Sequence, residues 1–240
     1  MNRFLDQTAA AVIAALGLAA AGGCNSDPGN PPKTPLYRRN PDEGPTSGER
    51  GKVTINEINF AGSVTNDGTH RWDDLFIELQ NKSERPVNLT GWRFLVRGDV
   101  DETYRIPPSD PVPPNGYFVI VRQPDGAFGK VADAVIEDLE LGRKHLFMQL
   151  LDRDKRRVTV IGSHEQRVFA GGWDTVSVRS MERTPLLFAN SGTASRSWHT
   201  YSSREGLKTI REGYRKYTLA SPGRANSTDY SGSTASGDFE

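Results

Sequence analysis

"DDLFIELQNKSERPVNLTGWRF", residues 73–94, admits two readings, and the choice between them decides the fold. Asp73, Asp74 and Glu78 place three carboxylates within six positions, as a metal site or an acid/base pair would. The same letters also spell a strand, a polar turn and the start of a second strand. Leu75, Ile77 and Leu79 alternate with Phe76, Glu78 and Gln80, the period-two pattern of a strand with one face on a core and the other outward. Asn81 and Ser83 offer local backbone acceptors and Pro86 a fixed φ, which suits a connection between paired strands. Trp92 after Gly91 fits a large aromatic between two sheets, with a stacking platform for a sugar or base as the alternative.

The strand reading gains from its surroundings. "KVTINEINF" (52–60) alternates, with Val53, Ile55 and Glu57 on one face and Thr54, Asn56 and Ile58 on the other. Further short runs of β-branched and aromatic residues occur at 92–96, 103–107, 116–122, 132–141, 145–152, 157–162, 174–180 and 195–201. Gly, Pro, Asn and Asp separate them, a spacing that predicts an antiparallel sandwich or barrel and not alternating strands and helices. "SDPVPPNG" (109–116) predicts an extended segment crossing one end of the fold. Residues 202–217 are the one helical candidate, with Ser202 and Glu205 spaced as a capping box and Leu207, Ile210, Tyr214 and Tyr217 on one face.

These residues resemble the lamin-tail domain family. The resemblance is carried by Ile55-Asn56-Glu57-Ile58, by Asp74-Leu75-Phe76-Ile77-Glu78-Leu79-Gln80-Asn81, by Val87-Asn88-Leu89-Thr90-Gly91-Trp92 and by "GYFVIV" at 116–121. Ser180-Met181-Glu182-Arg183, Trp198 and Pro222-Gly223-Arg224-Ala225-Asn226 are similar to its closing elements. The resemblance implies an all-β, immunoglobulin-like antiparallel sandwich over 53–226; the one short helix near its C-terminal end is expected from the 202–217 pattern alone, a stretch longer than the family's usual one. It also implies a binding or scaffold module and no catalytic residues.

The flanks read differently. Residues 8–21, "TAAAVIAALGLAAA", follow Met1 and Arg3 and precede small residues, the order of a secretory signal. The run is shorter than the ~20 residues of a membrane span. "LAAAGGC" resembles the lipid-attachment signal of bacterial lipoproteins, which implies cleavage of 1–23 and lipidation of Cys24, the protein's single cysteine. By the same resemblance, Asn25 after the cysteine implies the outer membrane of the cell envelope. Residues 24–52 and 227–240 are rich in Pro, Gly, Ser, Asn and charge, a composition expected of a tether and a tail.

The net charge is zero but unevenly spread: residues 143–240 hold 16 Lys and Arg against 10 Asp and Glu, an excess of +6 balanced by −6 before them. Binding of an acidic polymer, glycan or nucleic acid, through this basic half is one functional reading. No nucleic-acid-binding fold surrounds it, so an envelope protein or an acidic glycan is the expected partner and nucleic acid is not. Trp72 and Trp173 lie in loop contexts, and Tyr214, Arg215, Lys216 and Tyr217 mix charge with stacking rings, so these six are candidate ligand-binding residues. Glu57, Asp74 and Glu78 are candidate metal ligands, for Ca²⁺ or for a metal-dependent hydrolase, although no loop supplies the six to eight oxygens calcium takes. The alternation of Glu57 predicts that it is buried, either capped by structural donors or part of such a site. The four histidines stand in no catalytic motif, and no cofactor and no enzymatic activity are expected.

Overall fold

A computed structural model describes residues 52–184 and 192–228. Cys24, the signal, the tether, the tail beyond residue 228 and the 185–191 segment lie outside the described residues. The strands are β1 (Val53–Asn59), β2 (Ser63–Val64), β3 (His70–Arg71), β4 (Phe76–Asn81) and β5 (Arg93–Gly98). There follow β6 (Glu102–Arg105), β7 (Tyr117–Val121), β8 (Ala134–Val135), β9 (Leu146–Leu151) and β10 (Arg157–Gly162). The last are β11 (Gly172–Trp173), β12 (Val178–Arg179), β13 (Met181–Arg183), β14 (Trp198–Thr200) and β15 (Thr218–Leu219). No helix among the described residues is long and apolar enough to cross a membrane.

Two sheets face each other as an immunoglobulin-like sandwich. One has the order β14-β13-β1-β4-β7-β8 and the other β10-β9-β5-β6. The core between them takes Ile55, Ile58, Ile77, Leu79, Phe118 and Ile120 from the first and Phe94, Val96, Met148, Leu150 and Ile161 from the second. Alternation in β9 is complete, with Leu146, Met148 and Leu150 buried and their neighbours partly exposed. Trp92 is fully buried in this core, as its position after Gly91 suggested. Gly91 has φ of +81°, a conformation that favours glycine and turns the chain into β5.

Three expectations need correction. The 81–88 turn does not join paired strands: β4 and β5 lie in different sheets, so it crosses between them, braced by the Val87–Val112 bridge to the proline-rich segment. The 132–141 run forms only the two residues of β8, because beyond Val135 the chain leaves the sheet edge. The 202–217 helix is broken into two 3₁₀ turns, Glu205–Thr209 and Glu212–Tyr214. Ser202 does not cap it; its hydroxyl donates instead to the Thr228 carbonyl at 2.7 Å.

The larger correction concerns the outward face of the first sheet. Phe76 and Glu78 do point away from the main core, yet both are completely buried. The 124–136 loop and the 207–227 segment cover that face with a second apolar cluster of Phe76, Val119, Val121, Phe128, Ile210 and Tyr214. The sheet is therefore dry on both sides, which simple strand alternation does not anticipate.

Candidate functional site

A β-bulge decides where Glu57 goes. Ile55 pairs with Leu79 and Glu57 pairs with Glu78, so β1 carries one extra residue, Asn56, between them. The bulge turns Glu57 off the face of Ile55, where alternation had placed it, and brings Ile58 back to the core. Glu57 now faces the second, covered side of the sheet. Glu182 pairs with it from β13, His199 pairs with Glu182 from β14, and Glu78 stands on its other flank in β4. Four strands thus set three buried glutamates and a histidine in one transverse row.

Like charges opposed across a ladder repel, and burial removes the water that would screen them. The segment 220–227 supplies most of the compensation. Ser221 N–H donates to Glu57 Oε1 at 2.8 Å, Gly223 N–H to Glu78 Oε2 at 2.6 Å and Ser227 N–H to Glu182 Oε1 at 3.0 Å. Ser180 donates to Glu57 Oε1 at 2.5 Å, and Asn56 Nδ2 donates to Glu78 Oε1 at 2.7 Å. His199 Nε2 lies 3.1 Å from Glu182 Oε2 and 3.1 Å from the Ser227 carbonyl, two acceptors, so that nitrogen carries a proton. Desolvation, with Glu182 and Glu78 nearby, raises the Glu57 pKa well above the ordinary carboxylate range. Desolvation also raises Glu78 to about 8.

Of the three candidate metal ligands, the structure brings Glu57 and Glu78 together and leaves Asp74 elsewhere. Asp74 is fully buried before β4, where it accepts from Ser63 Oγ at 2.5 Å and from the Ala127 N–H at 2.7 Å. Burial pushes it up to about 6. It ties the β2–β3 hairpin to the loop after β7. The oxygens of Glu57 and Glu78 already receive protein donors, and no group of three His, Cys, Asp or Glu among the described residues is arranged to hold a metal ion. Glu182 and His199, which complete the row, and Ser221, which donates to it, were not among the expected site residues; their separation in sequence hides them.

The candidate ligand residues divide in two. Trp72 and Trp173 converge, with ring centroids 5.0 Å apart and planes at 80°. His70 wedges between them, 3.7 Å from Trp72 and 4.4 Å from Trp173. Its Nε2 donates to the Ala61 carbonyl at 2.7 Å, and burial lowers its pKa, so the ring is neutral near pH 7. The Arg143 guanidinium lies 4.4 Å from the Trp72 ring centre, within cation–π range. Around these rings opens a pocket of about 350 Å³, walled by Phe60, Ala61 and Val168 and rimmed by Arg143, Lys144 and Arg167. Such a volume lies within the ~300–1,000 Å³ of small-ligand sites. The three cationic side chains are exposed, and among the described residues none forms an ion pair. The pocket therefore presents three cations on its rim beside the exposed surface of Trp72.

Each element of the pocket is positioned by a specific contact. It lies at the end of the sandwich where β1, β5 and β10 finish and β4, β6 and β9 begin. Asp99 accepts from the Lys144 and His145 N–H groups, at 2.6 and 3.1 Å, and so holds the Arg143–Lys144 loop. Val168 N–H donates to the Lys144 carbonyl at 2.8 Å and brings Arg167 to the same rim. Gly171 has φ of +75°, and a Cβ there would stand 2.7 Å from Met181 N, so only glycine lets the chain approach β13 before Trp173. Arg143, Lys144 and Arg167 were legible in the sequence only as the start of the basic half.

Tyr214, Arg215, Lys216 and Tyr217 do not line the pocket; Tyr214 and Lys216 hold the hairpin that leads into Trp72. Arg71 Nη1 donates to the buried Tyr214 hydroxyl at 2.9 Å, and the Lys216 N–H donates to Asn66 Oδ1 at 2.9 Å. Arg215 Nε donates to the Ile210 carbonyl at 2.9 Å, fixing its own turn, and Tyr217 is half-buried against the main core. A model of the family described as Lamin Tail Domain matches residues 46–203. A search of curated proteins found no match.

Proposed function

The chain belongs to the lamin tail domain family, and from that premise we propose that it is a non-catalytic binding module whose site is the pocket between Trp72 and Trp173. The observation that carries this reading is the meeting of two tryptophans in one cavity with three cations that form no ion pair among the described residues. Aromatic faces hold a ring-shaped ligand, and Arg143, Lys144 and Arg167 favour one with a negative substituent. The basic excess after residue 143 supports the same reading. The protein acts at the bacterial cell envelope, held by a lipid on Cys24, and the apolar run with its small residues before that cysteine supports this placement.

Two measurements test the proposal. Titration with glucuronic acid, followed by intrinsic tryptophan fluorescence, should saturate in the native protein and fail in Trp72→Ala with its fold intact. Saturation that survives both Trp72→Ala and Arg167→Ala would place the ligand elsewhere. For the anchor, Cys24→Ser should move the protein from the membrane to the soluble fraction, and unchanged partitioning counts against lipidation.

A further inference from the structure

The binding reading leaves the kind of ligand open, and a second cleft beside the first narrows it. This cleft of about 400 Å³ shares Trp72, Arg143 and Lys144 with the pocket, so the Trp72–Arg143 cation–π pair stands at the boundary between two adjoining spaces. The two differ in chemistry. The first presents cations and apolar walls. The second adds the carboxylates of Asp73, Asp99 and Glu140 and the guanidinium of Arg122. Arg122 Nη1 donates to the Leu139 carbonyl at 3.1 Å and reaches Glu140 at 4.0 Å, while its buried Nε has no hydrogen-bond partner among the described residues. Asp73 accepts from Gln123 Nε2 at 2.8 Å.

We infer that the two clefts are neighbouring subsites for consecutive units of a linear acidic glycan, a carboxylated pyranose in the first and a hydroxyl-rich, uncharged pyranose in the second. The inference rests on the binding reading. Sugar hydroxyls donate and accept, which matches a rim of alternating carboxylates and guanidinium groups. Pyranose C–H faces lie flat on indole rings, and Trp72 offers one such ring at the boundary between the subsites. A nucleic acid or a uniformly anionic glycan brings a negative charge with every unit, and its second charge would enter a cleft where Asp73, Asp99 and Glu140 already balance Arg122, Arg143 and Lys144. The sign pattern therefore selects a chain in which acidic and uncharged units alternate.

The test uses the whole protein and titration calorimetry with four probes: glucuronic acid, a hyaluronan tetrasaccharide, tetragalacturonic acid and a single-stranded oligonucleotide. The alternating tetrasaccharide should bind at least tenfold tighter than glucuronic acid, and tighter than either uniformly anionic probe. Glu140→Arg should shift the preference towards tetragalacturonic acid, and thermal melting confirms that the variant is folded. Equal affinity for glucuronic acid and the tetrasaccharide would overturn the second subsite and leave the single-pocket reading standing. Tighter binding of a uniformly anionic probe would overturn the inference in the same way. Absence of binding to every probe would remove both.

Discussion

Glu57 and Glu182 face each other across the β1–β13 ladder and share one hydroxyl, that of Ser221. Ser221 Oγ lies 2.5 Å from Glu182 Oε1 and 3.1 Å from Glu57 Oε2. A hydroxyl carries a single proton, so it can donate to only one of them. With Glu182 as its acceptor, the contact to Glu57 requires a proton on Glu57, which then donates to Ser221. The raised pKa of Glu57 and this geometry point to the same protonation state.

Stability should consequently fall as pH rises. Glu57 lies well above its ordinary 4.5 and Glu78 at about 8, so the folded protein binds more protons than the unfolded chain between those values. The stability Glu78 contributes is complete below about 4.5 and is lost as pH climbs through about 8, and Glu57 acts in the same direction. Asp74, raised to about 6, adds to the trend at its lower end. Calorimetric melting from pH 5 to 9 should show the highest Tm near pH 5; a Tm that increases over this range contradicts the assignment.

Glu57→Gln should flatten that profile. Its amide nitrogen can donate to Ser221 as the protonated acid does, and it has no proton to lose. The variant should match or exceed the native protein at pH 8. Glu57→Ala, which strands Ser180 and Ser221 and opens a cavity, should cost about 2–4 kcal/mol in denaturant titrations.

Gly223→Ala isolates backbone conformation. Gly223 has φ of +78°, while a Cβ there would meet Val131 at an ordinary 3.6 Å. The loss should be about 1–2 kcal/mol, the cost of the left-handed region for a residue with a side chain. Urea unfolding measures it directly, and a neutral result means that the 220–227 segment is not held as described.

Trp92→Ala removes one of the two tryptophans wholly buried in the sandwich core. Unfolding should become easier by about 3–5 kcal/mol. The ring is structural and not a ligand platform, so the denaturant midpoint should move far more than any binding signal does.

Tyr214→Phe separates support from contact. It deletes the acceptor for Arg71 and should cost about 0.5–1.5 kcal/mol of stability. Because the hairpin holding Trp72 loosens, glucuronic acid should bind several-fold more weakly; unchanged affinity shows that the hairpin is positioned without it.

The sandwich was legible because its signals are local. Leu75, Ile77 and Leu79 repeat with period two, and Gly91-Trp92 marks the entry to the facing sheet. Trp72 was recognisable by its loop setting; Trp173, read as a loop residue, lies on β11, and the convergence of the two was hidden because a hundred residues separate them. The orientation of Glu57 was misread because a bulge leaves no mark in an alternating pattern. The burial of Phe76 and Glu78 was hidden for a different reason. It depends on the 124–136 loop and on residues beyond 200, whose apolar spacing reads as a helix but whose chain forms short 3₁₀ turns laid against the sheet.

The covering of the glutamate row also dictates an order of events. Glu57 meets Ser221 across 164 positions and Glu78 meets Gly223 across 145. A chain made from its N-terminus presents β1 and β4 long before the segment that satisfies their acids. Until that segment arrives, both carboxylates stay hydrated and ionised, and the sheet keeps a wet face. Closure then favours uptake of protons from solvent, so the driving force for covering the row weakens as the medium turns alkaline.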